Sequence, residues 1–204
     1  ATVLSLRMPS LPLWVWLEYR VIPRYIQLNL LSMRLHAGDA FKIKLLNRST
    51  LGNHITLPPE FDRIPYAVAA SDVARIGLLA QHGGLYLDAD FLVAQPLAQL
   101  LELLDTYETI SYTSSPPRND PSCSSGFAPN FVAARPRTLL WQRAWLRLRE
   151  AFKNRCGTSR RHKVCCYAQH PSHPPYAPVP CRVKWALTDW VLQPVLRELH
   201  YEKR

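Results

Sequence analysis

The chain has 204 residues, 48% of them hydrophobic, a charged fraction of 20% and a formal net charge of +10. That is enough apolar sequence for one core-bearing domain, and it excludes a wholly disordered chain. No apolar run approaches the roughly 20 residues of a membrane-spanning helix, and the run Leu11 to Leu17 meets Glu18 and Arg20 at once, unlike a secretory signal.

Leu13 to Leu17 (LWVWL) is short, apolar and rich in β-formers, and reads as a buried strand. Pro23 breaks the chain, and Tyr25 to Leu35 has helical apolar spacing, ending at Gly38. Phe41 to Leu45 alternates as a strand does. Strand, helix, strand is the opening of an α/β domain. Pro58, Pro59 and Pro65 mark a loop. A helix over Tyr66 to Gln81 follows, apolar nearly all round and stopped by Gly83-Gly84. Leu85 to Leu87 and Phe91 to Val93 read as strand-like segments flanking two aspartates. Leu97 to Leu104 reads as a short helix, Thr109 to Thr113 and Phe127 to Ala134 as strands, and Ser114 to Ser125 between them as a polar loop. Arg137 to Lys153 predicts a long basic helix, Asn154 to Pro180 an irregular stretch, and Thr188 to His200 a last helix kinked at Pro194.

The positive balance suits polyanionic partners. The basic residues between Arg135 and Lys163, however, lack the interleaved aromatics of a nucleic-acid platform, so a solvated helix face is the plainer reading and no nucleic-acid partner is expected. The five cysteines, Cys123, Cys156, Cys165, Cys166 and Cys181, show no CxxC zinc spacing. Clustered in loop-like sequence, they are compatible with disulfides and hence with an oxidising secretory-pathway lumen, with a cytoplasmic location as the alternative. His170 and His173 have no repeatable ligand spacing either.

The chemistry concentrates in Asp88-Ala89-Asp90. In an extended segment two residues apart point the same way, so these carboxylates would converge. Like charges so close repel, and a hard divalent cation such as Mg²⁺ or Mn²⁺ relieves that repulsion while leaving positions for substrate phosphates. A lone DxD is commonplace. Here apolar flanks put it at the end of a buried strand, where α/β sheets bind ligands. In the preceding helix Asp72 and Arg75 are the only charged residues and stand three apart on one face. They form either a local ion pair or part of a polar site gripping sugar hydroxyls or phosphates.

Ser71-Asp72-x-x-Arg75 followed by Gly83-Gly84-Leu85-Tyr86-Leu87-Asp88-Ala89-Asp90 resembles the signature of glycosyltransferases with a DXD sugar-binding region. That group includes the yeast initiation mannosyltransferases, the clostridial toxin glucosyltransferases and the capsular polysaccharide synthesis proteins, and the likeness here is of the glycosyltransferase family 32 type. Weaker similarity covers Leu13 to Val93. The resemblance implies an α/β, GT-A-like nucleotide-diphospho-sugar transferase fold with a mixed central sheet flanked by helices. On that analogy residues 1–204 form a single domain, 1–95 binding the nucleotide sugar and 96–204 facing the acceptor. The donor would be a UDP- or GDP-sugar, the cofactor Mn²⁺ or Mg²⁺, and the acceptor a glycan, glycolipid or glycoprotein.

The same resemblance implies residue roles. Asp90 and Asp88 would hold the metal, with Asp88 also contacting ribose and sugar. Asp72 and Arg75 would grip the donor sugar, and all four would form the catalytic set. Tyr86 would support the site. Trp14 or Trp16 would meet the base, unless both simply pack in the core. Asn130 lies where some relatives carry an active-site Asn. A third metal ligand is expected from a later loop, with Asp189 and His200 as candidates. Retention of anomeric configuration is expected, and a membrane anchor outside this chain is compatible with the reading. A non-catalytic nucleotide-sugar- or glycan-binding relative of the same fold is the alternative.

Overall fold

In the computed structural model, residues 10–64, 67–112 and 128–155 are described, with 191–192, 194–196 and 198–199 near the C-terminus. The five cysteines, the loop Ser114 to Ser125, His170, His173, Asp189 and His200 lie outside the described residues. Among the described residues no helix is long and apolar enough to cross a membrane.

The chain builds β1 (Leu11–Trp16), α1 (Arg24–Ala37), β2 (Phe41–Leu46), α2 (Arg48–Leu51), a 3₁₀ turn (Phe61–Arg63), α3 (Ala67–His82), β3 (Gly84–Leu87), α4 (Gln99–Thr106), β4 (Thr109–Ser111), β5 (Phe131–Ala134) and α5 (Leu139–Arg155). The five strands form one mixed sheet in the order β2-β1-β3-β5-β4. β1 pairs parallel with β2 and β3, while β5 runs antiparallel to β3 and β4. This is the α/β arrangement, a mixed sheet flanked by helices, that a GT-A-like fold requires.

Each strand's alternation feeds two cores. Leu13, Val15, Leu85 and Leu87 pack with Ile26 and Met33 of α1 and Leu104 of α4 on one face. Trp14, Trp16 and Tyr86 pack with α3 and with Trp141, Ala144 and Leu148 of α5 on the other. Val191, Leu192, Val195 and Leu196 add to that second core. β3 is buried along its whole length, as a strand covered on both faces must be.

Helix α3 is buried at every residue from Ala69 to Ala80. Its alanines favour the helix and keep it thin. A side chain at Gly77 would stand 2.6 Å from Ile55 and 3.0 Å from the Trp145 ring, so glycine there lets α5 approach. Gly83 and Gly84, at φ of 62° and 94°, turn the chain from α3 into β3. A Cβ on Gly84 would lie 2.3 Å from the Pro12 carbonyl oxygen, so neither the backbone angle nor the space admits a larger residue. The Trp14 indole N–H donates to the Gly83 carbonyl at 2.8 Å and fastens this turn to β1.

Two local expectations are corrected. Phe91 to Val93 is not a strand but irregular chain. Phe91 and Val93 pack against the α1 core while Leu92 faces out, and the Ser32 hydroxyl accepts from the Val93 N–H at 3.0 Å and the His36 carbonyl from the Leu97 N–H at 2.9 Å, drawing the chain off the sheet and along α1. Asp88 to Asp90 is not extended either: the Phe91 N–H donates back to the Asp88 carbonyl at 3.1 Å, closing a turn. The short helix α2, capped by a reciprocal bond pair between Asn47 and Thr50, joins the elements read from sequence.

Candidate active site

Because β1, β3 and β4 run one way and β5 the other, the C-terminal ends of the first three meet the start of β5 at one sheet edge. β1 sends its chain to β2 on one side and pairs with β3 on the other, with α1 and α3 on opposite faces. Such a switch point leaves a crevice at the strand ends. A cleft of about 610 Å³ opens there, within the usual size of a small-molecule site. Its walls come from the chain after β1 (Trp16, Glu18, Tyr19), the start of α1 (Tyr25), α3 (Ser71, Asp72, Arg75), the turn after β3 (Asp88, Ala89, Asp90), Tyr112 after β4 and Asn130 before β5.

Arg75 is the centre of this site. Its side chain is 4% exposed, and its guanidinium donates to Asp72 at 2.5 Å and to Asp88 at 3.0 Å. The aromatic face of Tyr86 lies 4.6 Å from it, a cation–π contact. Burial works against its charge, but Tyr86, Asp72 and Asp88 more than offset this and hold the group above its ordinary range. Burial pushes the Asp88 carboxyl above the usual carboxylate range; Arg75 opposes the rise, and Asp90 and Asp72 add to it. Tyr86, wholly buried, is raised by the same desolvation and stays a neutral phenol.

The structure thus brings Asp72, Arg75, Tyr86 and Asp88 into one network, with Asp90 exposed on the turn above it. Trp16 lines the cleft, 7% exposed, its indole N–H without a partner among the described residues. Trp14 does not line it: its ring packs on His54 and His82, and its N–H holds Gly83.

Four residues escaped the sequence reading or were only weakly placed by it. The buried Asn29 amide donates to the Ala89 carbonyl at 3.2 Å and pins the aspartate turn to α1. The Asn130 carbonyl accepts from the Asp88 N–H at 3.0 Å, prolonging the β3–β5 ladder to the first aspartate. The Tyr112 hydroxyl donates to the Asn130 side-chain oxygen at 2.9 Å. Glu18 is held by Arg48 at 2.6 Å. A lone buried Asn at a core-facing helix position was the one signal in the sequence that could have pointed to Asn29.

Four carboxylates and one guanidinium line the cleft, on a protein that is otherwise strongly basic. A diphosphate entering it meets like charge. Two carboxylates, one half-buried and one exposed, are the oxygen donors that Mg²⁺ or Mn²⁺ accepts while keeping positions for water and phosphate, so these residues fit such an ion. Among the described residues no cluster of three or more acidic, His or Cys side chains forms a fuller site.

No curated protein matches the chain. Residues 18–109, from the end of β1 to the start of β4, match the family model of the glycosyltransferase sugar-binding region containing DXD motif. That stretch holds Asp72, Arg75, Tyr86, Asp88 and Asp90, the residues that the geometry gathers at the sheet edge. Over residues 18–109 the chain is therefore similar to the DXD-containing sugar-binding region of glycosyltransferases.

Proposed function

We propose that this cleft binds a nucleoside-diphosphate sugar together with Mn²⁺ or Mg²⁺ and transfers the sugar to a hydroxyl of a glycan, glycolipid or glycoprotein. The observation that carries the reading is the buried Asp72–Arg75–Asp88 network under an exposed Asp90. Asp88 and Asp90 are the residues that would hold the ion. The bound ion would neutralise charge building on the departing diphosphate.

The chain's own residues do the rest. Arg75 fixes one Asp88 oxygen by a charge-assisted bond, so that carboxylate stays in one orientation. Asp72, held in turn by Arg75, supplies acceptor oxygens for sugar hydroxyls. Trp16 offers an aromatic wall for the base at the end of β1. Tyr112 and Asn130 form the opposite wall, where an acceptor would enter. By the family likeness, transfer proceeds with retention of the anomeric configuration; NMR of the product anomer reads this directly, and clean inversion rejects it.

The experiment is a thermal-shift panel of UDP- and GDP-sugars with and without Mn²⁺. At a hundredfold excess over Kd a ligand stabilises by about 2.7 kcal/mol, roughly 5–10 °C for a chain of this size. A metal-dependent shift, abolished by Asp90→Asn, is the expected result, followed by donor hydrolysis with the same dependence. No shift with any donor and either metal overturns the reading. A metal-dependent shift without turnover favours the second reading, a nucleotide-sugar-binding relative; the two-carboxylate site among the described residues is what keeps that reading in view.

A further inference from the structure

Helix α1 is apolar on two sides. Its inner side, Ile26, Leu30, Met33 and Ala37, is buried against the sheet. On the outer side Leu28, Leu31 and Leu35 are 58%, 60% and 76% exposed, and Val21 just before the helix is 82% exposed. Spaced by three and four residues, the leucines share one face. Isolated exposed leucines are ordinary, but a continuous stripe marks a surface that something covers.

The charges say what. The helix sequence RYIQLNLLSMRLHA contains no Asp or Glu. Arg24 lies one turn before Leu28 on the same stripe, Arg34 flanks it, and both are exposed. Two copies packed stripe to stripe would bring these arginines together with no carboxylate on either helix to pair them. Anionic headgroups pair them directly, while the long arginine stems let their charge reach the headgroups as the leucines sink. The stripe is also continuous with the cleft: Tyr25, 57% exposed on the first turn of α1, lines it.

We propose that α1 seats this protein on an anionic lipid surface, lying in the plane of the interface with its leucines in the acyl boundary and Tyr25 bringing the cleft mouth to the headgroups. This goes beyond the glycosyl-transfer reading and stands or falls separately from it.

The test is co-sedimentation of the 204-residue chain with phosphatidylcholine vesicles, with and without phosphatidylserine. Binding to the mixed vesicles, weakened by salt, is expected. The Leu31→Asn/Leu35→Asn variant should bind at least about tenfold more weakly. Arg24→Gln/Arg34→Gln should lose roughly tenfold to thirtyfold of the preference for phosphatidylserine. Both variants should keep the wild-type thermal midpoint and the wild-type response to nucleotide sugars, so failure here is distinct from failure of the glycosyl-transfer reading. Absence of vesicle binding by the wild-type chain overturns the proposal. So does a dimer that the leucine variant converts to monomer, which assigns the stripe to a second copy. A fall in the leucine variant's thermal midpoint also overturns it, because the stripe is then covered by the chain itself.

Discussion

Replacing Arg75 by Met tests the centre of the site. The substitution keeps a long side chain in a position that is 3% exposed, but removes the cation between Asp72, 5% exposed, and Asp88. Both carboxylates then lose the cation that bridges them. Breaking a buried ion pair from one side costs about 3–5 kcal/mol, a large share of the roughly 5–15 kcal/mol that holds a domain folded. For a chain of this length the thermal midpoint should fall by roughly 6–20 °C. Denaturant titration at neutral pH measures the loss, and its pH dependence checks the cause. Arg75 opposes the burial-driven rise at Asp88, so its removal lifts that group further above its unfolded value. A raised carboxyl destabilises the fold only while ionised, so the gap between wild type and variant should narrow as pH falls through the raised value. Adding Asp72→Asn to the variant should recover part of the stability, with a coupling of about 2–3 kcal/mol. A cost under about 1 kcal/mol, typical of surface changes, or strict additivity with Asp72→Asn would refute the buried network.

Trp14→Phe should destabilise by about 1–3 kcal/mol more than Trp16→Phe in urea unfolding, because only the first strands a buried carbonyl, that of Gly83. Gly84→Ala meets both a positive φ and the Pro12 carbonyl, and a loss of about 3 kcal/mol or more in the same assay is expected. Asp90→Asn, on an exposed turn, should shift the ligand-free thermal midpoint by less than about 2 °C while removing the manganese response. Burial, with Lys44 and His82 adding, holds the His54 imidazole below its ordinary pKa of 6.5. A histidine lowered in the fold binds fewer protons than when unfolded, so stability should decline as pH drops below about 6.5. His54→Gln should flatten that limb in denaturant titrations across the range.

Where one sequence signal meant one structure, it was legible. The alternating faces of β1, the all-round apolar α3 and the Gly83-Gly84 stop each follow from local chemistry, and so does the pairing of Asp72 with Arg75 three residues on. Phe91 to Val93 misled because apolar side chains mark burial, not the direction of the chain; Ser32 and Asn29, sixty residues earlier, set that direction. Asn47-Arg-Ser-Thr50 is a capping signature legible in sequence, yet too short to stand out beside longer periodic segments. The bond from Arg75 to Asp88 needed α3 to fold back along β3, and the alignment of Asn130 with the aspartate turn needed the antiparallel register of β3 and β5; no local pattern encodes either.

The Asn29 amide makes α1 a lever as well as a wall. One face of the helix grips the Ala89 carbonyl between the two aspartates, and the other carries the leucine stripe. A force that tilts the helix must either carry the aspartate turn with it or leave an amide and a carbonyl unpaired in a dry place, a loss of about 1–3 kcal/mol. A shift of the outer surface would in this way reach the aspartate turn through a single amide, with no hinge or second domain needed.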